Sequence, residues 1–378
     1  MREFAFFLTL SLGLATCAFA QTQDPGALLK DAISKQQAGD LDGAVREYKT
    51  LLKDHPEVGP IHANLGAALA GLGRYEEAIG EYKLALKLGP STPELHTNLA
   101  LAYYKMGRID EAATRLAKVV KADPSNYQAT ILLGDCYLRM GRNQETIRIL
   151  KPLAKSRPDD LSIVYMLGTA LLRNKQLDEG AAVIDRILRN GDSAEARLLL
   201  GMAKFEALEY PNAIADFTKA AEMNPNLPEV YSLLGQAQME SGDMLAARAA
   251  FEKELSLNPN DFESNLRLAV LVKQDGDYAR THQLLDRALM IRPADPGALF
   301  QVAVTDLAEG KLDRARTVLE DLLKQSPQFL EAHVSLAQVY YRLKRKEDGD
   351  REREIVQRLK AEQDAQQSKK KGEAQPRP

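Results

Sequence analysis

The chain has 378 residues, 45% of them hydrophobic, and a formal charge of −3. That is ample apolar material for a sizeable core, and the near-neutral balance excludes a long-range pull toward nucleic acid or anionic membrane. The length alone would suggest two or three domains, but a repeat running over residues 25–363 favours one continuous array.

Residues 1–20 stand apart from the repeat. Arg2, an apolar run from Phe4 to Leu14 and the small-x-small ending Ala18-Phe19-Ala20 before Gln21 have the order of a secretory signal peptide. The expectation is cleavage at Ala20/Gln21 and an exported chain, periplasmic or secreted, because the run is short for a membrane span and no later stretch reaches that length. The rival is a lipoprotein signal at Leu14-Ala15-Thr16-Cys17 with Cys17 lipidated, although Thr16 sits where Gly, Ala or Ser is usual. Without Cys17, Cys136 is the sole cysteine, which excludes an internal disulfide. Cys136 falls in the apolar pattern of a helix and reads as a small buried hydrophobe. Residues 21–24 form a short lead.

From Pro25 onward an apolar residue followed by a small one keeps returning: Leu65-Gly66, Leu99-Ala100, Leu133-Gly134, Leu167-Gly168, Leu200-Gly201, Leu234-Gly235, Leu268-Ala269, Val302-Ala303 and Leu336-Ala337. The stride is 34 residues at every step except one of 33. In each period two apolar stretches at helical spacing flank a turn, so each unit reads as a helical hairpin. Gly39, Gly73, Gly107, Gly141, Gly242, Gly276 and Gly310 occupy one phase between the helices, where a left-handed residue ends helix A. Prolines at 56, 90, 124, 158, 225, 259, 293 and 327 close the units, since proline cannot continue helix B.

The second unit, with Leu65-Gly66, Gly73, Ala78, Tyr82, Ala85 and Pro90, resembles the tetratricopeptide repeat family, and the chain as a whole is similar to exported bacterial members of it. His62 and Leu69 stand where the family often has Trp and Tyr. The resemblance covers ten units, beginning near Pro25, Gly59, Pro93, Tyr127, Leu161, Ala194, Pro228, Phe262, Pro296 and Leu330. It implies an all-α fold, a right-handed superhelical solenoid of about ten helix-turn-helix hairpins at 25–363. The small residues predict close helix approach, with Gly66 facing Ala78, Gly201 facing Ala213 and Gly235 facing Ala247.

The ends depart from the pattern. Asp31 and Lys35 replace apolar residues in the first unit, Gly349 and Arg353 do so in the last, and both read as solvated caps. The polar stretch 364–378, with Lys369, Lys370 and Lys371, is expected to be disordered. At 189–194 the closing proline is missing and the period is one residue short, which fits either a deletion absorbed by the loop or a hinge between two stacks of five.

No nucleophile, base and orienting acid form a recognisable constellation, and neither H-E-x-x-H nor a phosphate loop occurs in the sequence. His62, His96 and His333 share one repeat phase and read as packing residues. No enzyme, cofactor or metal is therefore expected. The face of helix A opposite the Leu-Gly seam lines, in this family, the concave groove that takes peptides or helices. Here it carries Ile131, Leu138, Tyr165, Leu172, Leu198, Met202, Phe205 and Met239, which fit either a hydrophobic peptide groove or packing between successive A helices. Asn64 and Asn98 repeat one period apart, like the start of a ladder that holds peptide backbone. The expected function is a non-enzymatic scaffold or adaptor of the cell envelope that binds other proteins and is itself monomeric. The alternatives are an assembly element stacking through its ends, or a non-catalytic subunit or chaperone of an envelope assembly complex.

Overall fold

A computed structural model describes residues 24–158, 160–189 and 191–373, with 366–373 by backbone alone. The signal segment at 1–20, the alternative at Cys17 and most of the lead lie outside the described residues. Among those described there are twenty helices and no strand. The fold is all-α, and its helices pair in chain order as ten hairpins.

Two compact units divide at Val230/Tyr231. The first holds α1 (Pro25–Gln37) with α2 (Leu41–Asp54), α3 (Gly59–Gly71) with α4 (Tyr75–Leu88), and α5 (Pro93–Lys105) with α6 (Ile109–Ala122). It continues with α7 (Tyr127–Arg139) and α8 (Asn143–Ser156), α9 (Leu161–Arg173) and α10 (Leu177–Leu188), then α11 (Ala194–Glu206) and α12 (Tyr210–Met223). Helix α13 (Val230–Glu240) starts at the boundary and pairs with α14 (Met244–Leu257). The second unit adds α15 (Phe262–Gln274) with α16 (Tyr278–Ile291), α17 (Pro296–Ala308) with α18 (Leu312–Gln325), and α19 (Leu330–Arg342) with α20 (Lys346–Glu373). The irregular 189–194 junction is thus internal to the first unit, where α9 still packs on α11, and does not separate two stacks of five.

Local chemistry sets the helix ends. Asp24, Thr92, Asn126, Asp160 and Asp261 each accept a backbone N–H of the first turn that has no partner inside the helix. At the other end of the A helices one phase is left-handed throughout. Gly73 has φ +75°, and where glycine is missing Lys175, Leu208 and Lys344 adopt φ of 60°, 62° and 61°. The period imposes the conformation even on residues that disfavour it.

The seam is tight; a Cβ added at Gly235 would meet the Ala247 backbone as expected, at 3.1 Å, but at Gly66 and Gly201 it would meet aromatic rings rather than Ala78 and Ala213. Ala78, Ala213 and Ala247 are fully buried, yet the nearest surface at all three glycines is the aromatic ring one turn further along helix B. A Cβ added at Gly66 would lie 2.8 Å from the Tyr82 ring, at Gly201 2.5 Å from Phe217 and at Gly235 2.7 Å from Phe251. Helix B side chains point back toward their own N-terminus, which lets the ring rather than the alanine fill the space over the glycine.

Successive A helices also pack on one another, α3 on α5, α7 on α9 and α9 on α11 in the first unit, and α15 on α17 and α17 on α19 in the second. The first end is polar as expected: Lys35 pairs with Asp31 at 2.9 Å and with Glu47, and α1 buries only Ala32. In the last hairpin Arg353 is exposed, but Gly349 is buried close against the Tyr341 ring. Helix α20, however, continues through Glu373, into the segment expected to be disordered. Its run of Ala, Gln, Lys and Glu has high intrinsic helix propensity and extends the helix without an apolar face.

Candidate functional site

The A layer of the first unit is where a groove was expected, and burial decides which side chains are available to line one. Leu138, Leu172, Leu198 and Met202 are 5%, 1%, 0% and 5% exposed. They pack between helices and offer no surface to a ligand in this conformation, because successive A helices approach closely enough to cover them. Ile131 and Tyr165 are half-buried against a cluster containing Leu138, Leu150 and Leu167. Phe205 is half-buried and edge-on to Tyr210, with ring centroids 5.5 Å apart. Asn64 and Asn98 are half-buried, and Met239, in the second unit, packs against Phe251 and Leu268. The expected set is therefore not brought together as one open apolar surface.

What does come together in the first unit is a chain of charges one helical step away from the expected phase. Tyr104 on α5 donates its hydroxyl to Asp135 on α7, and Arg139 donates Nε to the same carboxylate at 3.0 Å while stacking over the Tyr104 ring at 5.0 Å. One period further, Arg173 on α9 donates Nη2 to Glu229 Oε2 at 3.0 Å and Nη1 to Oε1 at 3.4 Å. Tyr165 donates its hydroxyl to the Pro228 carbonyl at 3.4 Å. Residues 228–229 lie more than fifty positions ahead of these partners, so the stretch before α13 lies back on α9.

That stretch is held in an uncommon form. Glu229 has φ +65°, outside the regular left-handed phase of the repeat, and it delays the start of α13 to Val230. A left-handed non-glycine residue costs on the order of 1–3 kcal/mol and persists only where surrounding contacts hold it. Here the contact is the two-pronged Arg173 guanidinium, which matches a carboxylate better than a point charge would.

Electrostatics agree with the geometry. Burial pushes the Tyr104 hydroxyl well up, and the Asp135 carboxylate pushes it further. Burial works to lower Arg139, but Asp135, Tyr104 and Glu229 outweigh it and hold the guanidinium well above its usual range. Burial likewise raises the Tyr165 hydroxyl, with Glu229 adding to the effect. These tyrosines stay neutral donors and the arginine stays charged. The legible signal for this cluster was the 34-residue step from Lys105 to Arg139 to Arg173, a basic row on the A helices that an apolar search passes over.

Two of the three shared-phase histidines are braces, whereas His96 instead meets Ser91 Oγ at 2.7 Å through Nε2. His62 places Nδ1 2.6 Å from Glu81 and Nε2 3.0 Å from the Pro56 carbonyl; His333 repeats this with Glu352 at 2.5 Å and Pro327 at 2.9 Å. Asn265, at the same phase, reaches the Pro259 carbonyl at 3.0 Å. Each of these three ties helix A to the proline turn behind it, and His62 and His333 also reach their own helix B. Cys136 is fully buried, and burial raises its thiol far above the usual range.

Sequence models of the tetratricopeptide repeat match residues 60–79, 103–163, 137–195, 165–228, 198–262, 272–322 and 306–366, and a model described as TPR repeat matches 72–107. No curated protein matches the chain. Among solved structures it is similar to the Cut9-Hcn1 hetero-tetramer of the APC/C, at 15% identity and TM-score 0.56, covering 89% of this chain and 74% of that one. It is also similar to a tetratricopeptide repeat protein from Parabacteroides merdae, at 17% identity and TM-score 0.56, covering 65% of this chain and 98% of that one. At these identities the likeness concerns the fold alone.

Proposed function

The chain belongs to the tetratricopeptide repeat family, whose fold serves as a protein-protein interaction scaffold, and we propose that it is an exported, non-enzymatic scaffold binding an extended acidic segment on the A layer of the first unit. The observation that carries this reading is the seat of residues 228–229. A backbone carbonyl accepts from Tyr165 and a carboxylate sits on Arg173, the contacts an acidic peptide would make. The chain's own segment thus stands where a partner's would bind, and displacement exchanges one carboxylate for another at a desolvated guanidinium. The order of residues 1–20, that of a secretory signal peptide, is what supports the export part of this reading.

The test is binding of labelled Asp/Glu-containing peptides to the purified chain, alongside capture from a cell-envelope fraction, with Arg173→Ala and Tyr165→Ala checked for native circular dichroism. The expected result is at least a tenfold loss of peptide affinity in each variant and loss of the same captured proteins. Undiminished binding by both variants would remove the proposal. A second reading, stacking through the ends, finds less support, since the first helix presents Asp31 and Lys35 rather than an apolar face.

A further inference from the structure

The second unit holds a cluster that packing does not explain. Asp306 on α17 occupies the repeat phase at which Leu69, Tyr103, Tyr137, Leu171, Val272 and Tyr340 are buried packing residues, and where the polar members Lys35, Lys204 and Gln238 are only half-buried. It is 0% exposed, and neither carboxylate oxygen accepts a hydrogen bond. An ionisable group with unsatisfied oxygens in an apolar position is strongly disfavoured unless something compensates it.

Two further donors converge on it. His282 on α16 brings Nε2 to 3.6 Å from Asp306 Oδ1 and to 2.6 Å from Glu309 Oε2, and Glu309 caps the C-terminus of α17. One ligand atom from each of the three lies within 4.8 Å of the others. The His282 Nδ1 is buried and has no hydrogen-bond partner. Two cations adjoin the cluster: Arg314 Nε stands 3.2 Å from Asp306 Oδ2 without hydrogen-bond alignment, and Lys311 Nζ stands 2.7 Å from Glu309 Oε1. The Arg314 side chain is 54% exposed.

We propose that His282, Asp306 and Glu309 form a site for a divalent first-row transition ion of the zinc type, which clasps α16 to α17. One imidazole with two carboxylates is a borderline donor set; calcium and magnesium favour oxygen alone, whereas zinc accepts both kinds. Bonds of about 2.0–2.2 Å in a tetrahedron put ligand atoms roughly 3.4 Å apart. The His282–Asp306 separation of 3.6 Å is close to this, and the 2.6 Å between His282 and Glu309 has to widen on binding. On binding, Nε2 gives its lone pair to the ion and the imidazole proton resides on Nδ1. The fourth position is left for water or a partner's side chain.

The test uses the full chain, stripped with EDTA and titrated with zinc chloride by calorimetry, with the thermal midpoint read alongside. One equivalent is expected to bind at this site and to raise the midpoint by several degrees. Asp306→Asn and His282→Gln should both lose that equivalent and that rise. Asp306→Leu, which restores the apolar phase, should match or exceed the stripped wild type in stability yet show no zinc response. The proposal is overturned if the wild type binds no stoichiometric zinc, if His282→Gln and Asp306→Leu retain the response, or if magnesium produces an equal shift.

Discussion

At the residue scale, the repeat dictates backbone conformation and contact even where the residue type opposes it. Leu208 is 70% exposed with φ +62°, so its side chain gains little while its backbone is strained. Leu208→Gly should therefore stabilise the protein by about 0.5–1 kcal/mol, the relief of left-handed strain less the extra entropy of an unfolded glycine, read as a higher denaturant midpoint. Gly201→Ala should do the opposite, costing about 1–3 kcal/mol, because its Cβ would meet the Phe217 ring. An unchanged midpoint would refute that contact. Cys136 should stay unlabelled by a thiol reagent in native buffer and react once denaturant is added, read on its own peptide by mass spectrometry. Burial, then Arg115 and Lys118, hold His96 below its ordinary 6.5, so the folded state prefers the neutral ring. The unfolded chain takes up its proton first, so this residue's contribution is full above pH 6.5 and is lost as pH falls below it. His96→Gln should flatten the stability profile there.

At the scale of elements, the A helices are defined as much by what lies on them as by their own pattern. The Arg173–Glu229 contact holds residues 228–229 against α9. Arg173→Ala should accordingly speed amide exchange in a peptide spanning 224–230 while leaving α9 protected, and unchanged exchange would show that the loop is held by other contacts. The hairpins themselves were legible in the sequence: glycine and proline phases and the Leu-Gly seam all act locally. Two features were not. The ring facing Gly66, Gly201 and Gly235 depends on side-chain direction along helix B, and burial of Leu138, Leu172, Leu198 and Met202 depends on how closely A helices approach across repeats. Apolar residues on that face satisfy a groove and a packed layer equally well until the spacing of the neighbouring helix is known.

At the scale of the molecule, a repeat array draws its stability from neighbours, so the terminal hairpins have half the support of the inner ones. Amide protection should fall from the inner A helices toward α1 and α20, and the sedimentation mass should not change with concentration, since the first helix ends the array in charge. The sequence by itself determined the period, the ten hairpins and the family, because these rest on interactions within a few dozen residues repeated in phase. Only the tertiary structure decided that the chain divides at Val230/Tyr231 rather than at 189–194. It alone brought Arg173 to Glu229 and His282 to Asp306 and Glu309, since side chains far apart in sequence become neighbours only when successive helices are stacked.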